Sequence, residues 1–172
     1  PTRALYARVM HANLASIMPQ VVATWCQELG HRVDFVCYTG LEDLAHELPE
    51  DCDIVFICGF TQSAQLSYAL SSLIRPRAAV TALGGPHARC YPEDAGRYFD
   101  YVLGFTDRAL IQDILQDCAQ HRPQGLHLSS DRQPGTLPLL AERWPFVEQV
   151  LRAGAVDGHG ISRGRFGRYR NH

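Results

Sequence analysis

The sequence predicts an α/β fold built on a parallel β-sheet. Two short apolar runs, Asp53–Gly59 and Ala78–Leu83, have the composition of strands that are buried on both faces of such a sheet. Segments with a helical apolar period separate these runs from other strand-like runs, and this alternation is typical of βα units. The chain has 172 residues, of which 46% are hydrophobic, so it is long enough for one domain with a sizeable core.

The first βα unit is expected at the start of the chain. Arg3–Met10 predicts strand one, and His11–Ser16 is its loop. A helix is predicted over Ile17–Leu29, because Pro19 suits a first turn and apolar residues recur at helical spacing. Gly30 is expected to end this helix. The apolar stripe of the helix consists of Val21, Val22, Trp25 and Leu29.

The next two strands follow in order. The partial alternation of His31–Tyr38 predicts strand two, and Leu41–Leu48 predicts a short helix closed by Pro49. Asp53–Gly59 is strand three. A helix is then expected over Ser63–Ile74 and ends at Arg75-Pro76. Its apolar residues are Leu66, Leu70, Leu73 and Ile74.

The last two strands are Ala78–Leu83 and Asp100–Leu103, with a short helix over Tyr91–Tyr98 between them. Thr106 is predicted to cap a helix that runs to Cys118. Right-handed crossovers then give a flavodoxin-like (Rossmann-like) three-layer sandwich with a five-stranded parallel sheet in the order 2-1-3-4-5. In this order the loops at the switch point are His11–Ser16, Phe60–Ser63 and Gly84–His87.

Three segments are predicted along the chain. Residues 1–119 form the α/β domain, residues 120–153 are a Pro-rich linker or arm with a short helix over Phe146–Ala153, and residues 154–172 are a Gly/Arg-rich tail. The tail has no core-forming period, which predicts a disordered or non-native end; one short Gly/Arg stretch is weak evidence for a nucleic-acid-binding arm.

Composition excludes several function classes. The net charge of −2 gives no general attraction to nucleic acid or an anionic membrane, and no run reaches the roughly 18 to 20 apolar residues that span a bilayer. All basic residues are Arg, so a Walker A loop and a lysine Schiff base are excluded. The six cysteines form no Cys-x-x-Cys pair, and we interpret them as reduced core residues of a cytoplasmic protein.

Four classes of ligand-binding protein have characteristic sequences in the loops of such a sheet. A phosphorelay receiver needs an Asp at the end of strand three and a late Lys, and both are missing. A flavodoxin needs a hydroxyl-rich loop after strand one, where only Asn13 and Ser16 are polar candidates, and a Gly-x-Gly-x-x-Gly dinucleotide loop is absent. Gly84-Gly85 removes two side chains at a strand end, which predicts either a ligand floor or a tight turn without a ligand.

The fourth class rests on three longer runs. They are Leu83–Ala88 (Leu-Gly-Gly-Pro-His-Ala), Tyr91–Ala95 (Tyr-Pro-Glu-Asp-Ala) and Phe99–Gly104 (Phe-Asp-Tyr-Val-Leu-Gly). In this order and spacing they closely resemble the cobalamin-binding domains that precede the catalytic barrel in cobalamin-dependent radical S-adenosylmethionine enzymes. The resemblance covers about residues 3–118, and Leu137-Pro138 is similar to that family's linker into the barrel.

The resemblance implies a cobalamin site at the carboxyl ends of the strands. Two glycines would give a flat corrin ring a platform with few side chains, and small or hydroxyl residues would meet the nucleotide tail. Thr61 alternatively caps the next helix, a role for which Ser63 competes. His87 is expected as a turn residue or a contact at the ring edge. The implied binding residues are His11, Asn13, Thr61, Gln62, Ser63, Gly84, Gly85, Pro86, His87 and Gly104.

His11 is the candidate axial ligand of cobalt. Cobalamin methyltransferases and mutases carry Asp-x-His-x-x-Gly after strand one, and the corresponding run is Val9-x-His11-x-x-Leu14. The Asp that would orient the imidazole and the closing Gly are both absent. Members of the resembled family often leave this face of cobalt without a His, so His11 is either a ligand or a turn residue.

The cluster motif of the resembled enzymes is missing. They bind a [4Fe-4S] cluster through Cys-x-x-x-Cys-x-x-Cys, a spacing that no trio of the six cysteines has. The cluster and S-adenosylmethionine would therefore belong to a barrel in cis or in trans, and this chain is not expected to be catalytic alone. In the intact family, cobalamin typically carries a methyl group. The alternatives are a cofactor-free regulatory or interaction domain and a flavin- or nucleotide-binding sensor.

Overall fold

The computed structural model describes residues 17–38, 43, 46, 48–49, 51–77, 79–120 and 124–156 of the chain. Within these ranges four parallel strands form one sheet in the order β1-β2-β3-β4. The strands are β1 (Ile54–Cys58), β2 (Val80–Gly84), β3 (Tyr101–Leu103) and β4 (Leu126–Leu128). The helices are α1 (Ile17–Glu28), α2 (Ala64–Ile74), α3 (Pro86–Cys90), α4 (Pro92–Ala95), α5 (Arg108–Gln120) and α6 (Leu140–Val156), and short 3₁₀ turns lie at Thr61–Ser63 and Arg75–Arg77.

Two apolar clusters on opposite faces of the sheet define three layers. One cluster joins α1 and α5 to β2 and β3, with Val21, Trp25, Ala82 and Ile111 among its buried members. The other joins α2, α3 and α4 to the same strands, with Leu83 at its centre. Ala82 and Leu83 are adjacent in β2 and point to opposite faces, as the period of a strand requires. The predicted α/β class with a parallel sheet is therefore confirmed.

Several predicted elements appear with small changes at their ends. Helix α1 ends at Glu28, and Gly30 follows at a φ of 90°, a conformation that favours glycine. Strand β2 is buried on both faces as predicted. Strand β1 is only half-buried along its length, although its sequence is apolar throughout. The predicted strand Arg3–Met10 lies outside the described residues, as does most of the predicted helix Leu41–Leu48.

The prediction of strand two at His31–Tyr38 is wrong, because these residues are described and none belongs to a strand. Their alternation comes from packing instead. Val33 packs against the α1–α5 cluster, and the Phe35 ring lies 5.2 Å from the ring of Phe146. The described sheet therefore has four strands in sequence order, and the predicted order 2-1-3-4-5 is not found in it.

Residues 120–153 contribute directly to the sheet and to the packing of α1. Leu126–Leu128 pairs with β3 as the edge strand β4, where the sequence predicted a linker or arm. Helix α6 begins at Leu140, six residues before its predicted start, and contains Pro145 at an exposed position. Its Phe146 is buried, and Nη1 of Arg143 donates to Oε1 of Gln20 on α1 at 2.7 Å. Proline and glycine therefore obscured both elements in the sequence.

Two details of helix packing also differ from prediction. The buried face of α2 carries small and hydroxyl residues, whereas Leu73, predicted as part of the apolar stripe, is half-exposed. Asp107 rather than Thr106 caps α5, since its Oδ1 accepts from the backbone N–H of Leu110 at 2.9 Å. Thr106 instead donates to the carbonyl of Gly104. No helix within the described ranges is both long and apolar enough to cross a membrane.

Candidate functional site

The loops after β1 and β2 meet at the carboxyl edge of the sheet. The backbone N–H of Gly59 donates to the carbonyl of Gly84 at 3.0 Å, and the N–H of His87 donates to the carbonyl of Gly59 at 3.3 Å. These bonds continue the β1–β2 ladder beyond its last pair, Cys58 and Gly84. Two of the loops that the sequence placed at the switch point are thus brought together.

Backbone conformation and close contacts within the protein require glycine at position 85. Its φ is 99°, and a Cβ atom there would lie 2.8 Å from the carbonyl oxygen of Gly59. L-residues rarely adopt this conformation, and the contact is with backbone that cannot swing away. The requirement for glycine at this position is therefore explained by the approach of the β1 loop, without any ligand.

Gly84 differs from its neighbour. A Cβ atom on Gly84 would have no described atom within 4 Å, and its φ lies outside the region that favours glycine. By the alternation of β2, this position faces the same side of the sheet as Ala82, which carries α1 and α5. Gly84 is therefore a bare backbone position that no described residue covers, at the end of a buried strand.

The turn after β1 offers two uncommitted polar side chains. Thr61 and Gln62 are exposed, and neither side chain makes a hydrogen bond with the described residues. Ser63 closes the turn, since its Oγ accepts from the N–H of Phe60 at 3.2 Å and lies 3.1 Å from the Phe60 carbonyl. Ser63 stands at the N-cap position of α2 but makes no side-chain capping bond to it, and Thr61 keeps a hydroxyl that can meet a ligand.

His87 is buried inside the protein rather than at the rim of the turn. Its Nε2 lies 2.6 Å from Oη of Tyr68, which in turn donates to Oδ2 of Asp94 at 2.8 Å. Burial and, after it, the bond to Asp94 raise the pKa of Tyr68 to about 12. Nδ1 of His87 is buried and makes no hydrogen bond to any described atom. The expected contact of His87 with a ring edge is therefore not supported, because the side chain is 4% exposed.

Gly104 is covered by the strand that the sequence did not predict. A Cβ atom on Gly104 would lie 2.4 Å from Oγ of Ser129, the residue that follows β4. The same Oγ accepts from the N–H of Phe105 at 3.0 Å. Arg89 lies over the ring of Phe105, with its guanidinium carbon 5.2 Å from the ring centroid. Gly104 is therefore shaped to fit Ser129, and this part of the edge is occupied by protein.

His11 and Asn13 lie outside the described residues. In the part of the chain that the structure describes, no three His, Cys, Asp or Glu side chains are grouped as a metal site would require. Sequence reasoning missed Tyr68, Asp94 and Ser129. Tyr68 could have been noticed, because it is the aromatic residue of a helix that follows the candidate loop, but nothing in the sequence pairs it with His87.

A wide groove lies away from these loops. A groove of about 440 Å³ runs between α1, the start of α5 and the segment 134–138. One wall carries Trp25, and another carries an ion pair between Arg108 and Glu28 at 3.2 Å. None of the sequence-predicted site residues lines this groove. The site at the strand ends is thus an open platform rather than a deep pocket.

Comparison with known proteins adds a single structural likeness. No family model matches the chain, and no curated protein matches it. The crystal structure of the N-terminal domain of a hypothetical protein from Thermotoga maritima is similar at 18% identity, with a TM-score of 0.44. The match covers 67% of this chain and 89% of the other.

Proposed function

We propose that this chain is a cobalamin-binding module of a radical S-adenosylmethionine protein. The observation that carries the proposal is the open backbone at Gly84, at the carboxyl end of the buried strand β2, within the run that resembles this family. Ligands of parallel sheets bind outside the carboxyl ends of the strands, and a broad flat ring requires a surface without side chains. Gly84 provides such a surface on the face that carries α1.

The described residues fit cobalamin in part. Gly84 would lie under the ring, and the exposed Thr61 and Gln62 on the neighbouring turn would hold polar groups of the nucleotide tail. Gly104 and His87 are not part of this fit, because Ser129 covers one and the protein buries the other. His11 and Asn13 stay predictions, with His11 the candidate cobalt ligand. When bound, the group supplies a cobalt that can carry a methyl group.

The module requires a partner for catalysis. The [4Fe-4S] cluster and S-adenosylmethionine would be held by a radical S-adenosylmethionine barrel in cis or in trans, since the cysteine motif is absent from this sequence. We assign the protein to the cytoplasm, where reduced thiols persist, because several of its six cysteines lie in apolar runs of the sequence, where a thiol packs as a small hydrophobic group. We assign it no nucleic-acid partner and no membrane.

The finer fold is part of the same proposal. β1, β2 and β3 correspond to the predicted strands three, four and five, and they are neighbours in that order. The edge of β1 opposite β2 is where strand one, Arg3–Met10, is expected, and the half-buried state of apolar β1 supports a further strand there. This would make the arrangement around the switch point flavodoxin-like.

A cofactor-free interaction domain is the second candidate, and two contacts favour it. Gly85 and Gly104 are both explained by close approach of Gly59 and Ser129, so two glycines of the family-like pattern need no ligand. A flavin- or nucleotide-binding sensor is the third possibility raised by the sequence. The visible spectrum separates the three, because bound corrinoid, bound flavin and an empty domain differ in colour.

The test is retention of hydroxocobalamin after free cofactor is removed, read from the visible spectrum. We expect about one equivalent to be retained by the unaltered chain. Gly84→Val should abolish retention without unfolding, because the added side chain has space but fills the platform. Gly135→Val is the matched control, since Gly135 is also open and lies far along the chain in the 134–138 segment.

No retention by the unaltered chain at high cofactor excess would contradict the proposal and favour the interaction domain. Equal retention by Gly84→Val and Gly135→Val would show that the ligand does not use the platform. Gly85→Val is unsuitable as a blocking variant, because its Cβ would collide with the Gly59 carbonyl whatever the ligand.

A further inference from the structure

The hydrogen-bonded chain of His87, Tyr68 and Asp94 lies directly behind the glycine turn. His87 is the second residue of α3, and its backbone N–H is one of the bonds that tie this turn to the β1 loop. Its side chain is hydrogen-bonded to Tyr68 on α2, and Tyr68 is hydrogen-bonded to Asp94 on α4. Three helices on one face of the sheet are thus joined to the turn by two short hydrogen bonds.

The chemistry of the three groups fixes the direction of these bonds. Tyr68 Oη has one proton, and an ionised carboxylate can only accept, so this proton is donated to Oδ2 of Asp94. Oη must then accept from His87, which places a proton on Nε2. Nδ1 is left as a bare lone pair, and it is the buried side-chain atom of the ring that has no partner.

The network is also held rigidly by packing. The rings of Tyr68 and Tyr98 stack with centroids 4.2 Å apart and planes at 10°, and Phe99 meets Tyr68 edge-on at 6.3 Å. Asp94 also lies 3.7 Å from a guanidinium nitrogen of Arg97. Tyr68 has few other orientations available, so its Oη is presented to Nε2 at a fixed point.

We infer that Tyr68 is a positioning residue for the glycine platform: its Oη accepts a hydrogen bond from Nε2–H of His87 and donates one to Asp94, and so fixes the turn that carries Gly84 and Gly85. The inference rests on the proposed function as far as corrinoid binding is concerned. The positioning of the turn is a property of the protein without ligand and can be measured separately. Residues that hold a binding group in place through a hydrogen bond typically change affinity by about ten- to a hundredfold when removed.

The experiment compares Tyr68→Phe with Tyr101→Phe. Both substitutions remove one hydroxyl that donates to a carboxylate, Asp94 in the first case and Asp117, at 2.7 Å, in the second. Tyr101 is as buried as Tyr68 but lies at the start of β3, and its partner is on α5, on the opposite face of the sheet from Tyr68. Hydroxocobalamin affinity should fall by roughly tenfold in Tyr68→Phe and by less than about twofold in Tyr101→Phe.

A pair of substitutions at His87 gives a rescue test. The side-chain amide nitrogen of Gln can replace an Nε2–H donor, whereas Asn is too short to reach Tyr68. His87→Gln should therefore keep most of the affinity and His87→Asn should lose it. Equal loss in both, or equal loss in Tyr68→Phe and Tyr101→Phe, would overturn the positioning role.

Two measurements on the ligand-free protein separate this inference from the proposed function. The ¹⁵N chemical shifts of His87 should show the Nε2–H tautomer, and amide exchange at His87 and Tyr91 should accelerate in Tyr68→Phe but not in Tyr101→Phe. If these hold while the unaltered chain retains no hydroxocobalamin, the cobalamin proposal fails and the positioning role stands. An Nδ1–H tautomer or unchanged exchange overturns the inference itself.

Discussion

A guanidinium nitrogen of Arg75 lies 3.1 Å from Oδ1 of Asp100, a carboxylate whose side chain is only 8% exposed. The other carboxylate oxygen accepts from the backbone N–H of Thr81 at 2.8 Å. Asp100 belongs to the Phe-Asp-Tyr-Val run, yet it precedes β3 and so lies at the amino-terminal edge of the sheet. This acidic residue of the family-like motif therefore joins α2, β2 and β3, and it is remote from the platform.

Asp100→Ala is expected to lower the free energy of unfolding by about 2–4 kcal/mol, because it leaves the Thr81 N–H and the half-buried Arg75 without their acceptor. Urea denaturation followed by circular dichroism measures the change. Asp51→Ala is the control, since its pair with Arg32 is exposed to solvent and should contribute little to the free energy of unfolding. Similar losses in both variants would contradict a special role for Asp100.

Gly104→Ala should destabilise the fold, because its Cβ would collide with both Oγ and Cβ of Ser129. Overpacking of this kind costs typically about 1–3 kcal/mol. Ser129→Gly removes both colliding atoms, so the double variant should recover most of the loss, apart from the bond that Ser129 Oγ accepts from Phe105 N–H. If a double-mutant cycle shows no coupling between Gly104 and Ser129, the residue that follows β4 does not pack against Gly104.

Stability is expected to fall at alkaline pH because of two buried tyrosines. Burial, and after it the bond to a carboxylate, raises the pKa of Tyr68 to about 12 and also raises the pKa of Tyr101. A raised folded pKa gives stability that is present below the unfolded value near 10 and is lost as pH rises through the folded value. For Tyr68 the loss is on the order of 2 kcal/mol.

Urea denaturation at several pH values between 10 and about 12 measures how steeply the free energy of unfolding falls with pH. Tyr68→Phe should be less stable than the unaltered chain at neutral pH but should lose less stability as the pH rises. Tyr101→Phe should reduce the alkaline loss in the same way, because burial and the bond to Asp117 also raise the pKa of Tyr101. If Tyr68→Phe keeps the full alkaline slope, Tyr68 does not titrate as described.

Helix α6 should be part of the folded unit rather than an appended arm. Phe146→Ala is expected to lower the free energy of unfolding by about 3–5 kcal/mol, because the ring is 1% exposed and packs against Phe35. Trp144→Ala, on the exposed side of the same helix, should cost less than about 1 kcal/mol. Two separate unfolding transitions, or equal small effects, would support the predicted boundary at residue 119.

The parts of the fold that follow from local chemistry could be predicted. Gly30 marked the end of α1 because a positive φ favours glycine, and β2 was recognisable because a strand covered on both faces is apolar throughout. His31–Tyr38 misled because alternation reports which residues pack inward, not whether a neighbouring backbone supplies hydrogen bonds. β4 was missed because three residues between turn-forming prolines and glycines carry no period of their own.

The candidate site, like the fold, could be predicted from the sequence only in part. The sequence placed the two glycines at a strand end, but Gly85 meets Gly59 and Gly104 meets Ser129, and both approaches depend on tertiary structure. His87 was visible as a polar residue at the turn, whereas its burial against Tyr68 required the position of α2. Only Gly84 and the turn at Thr61 and Gln62 keep the open character that the sequence suggested.

The bond between Arg143 and Gln20 joins residues 123 positions apart. During synthesis, α1 leaves the ribosome long before the helix that covers it, and it must wait for almost the whole domain before this contact can form. Closing so long a loop costs conformational entropy, and this cost is offset only when the packing is complete. The contact therefore belongs to a late step of folding. A nascent chain stalled before Leu140 would therefore leave the part of α1 around Gln20 uncovered, and the order in which the chain is made becomes a factor in how efficiently it folds.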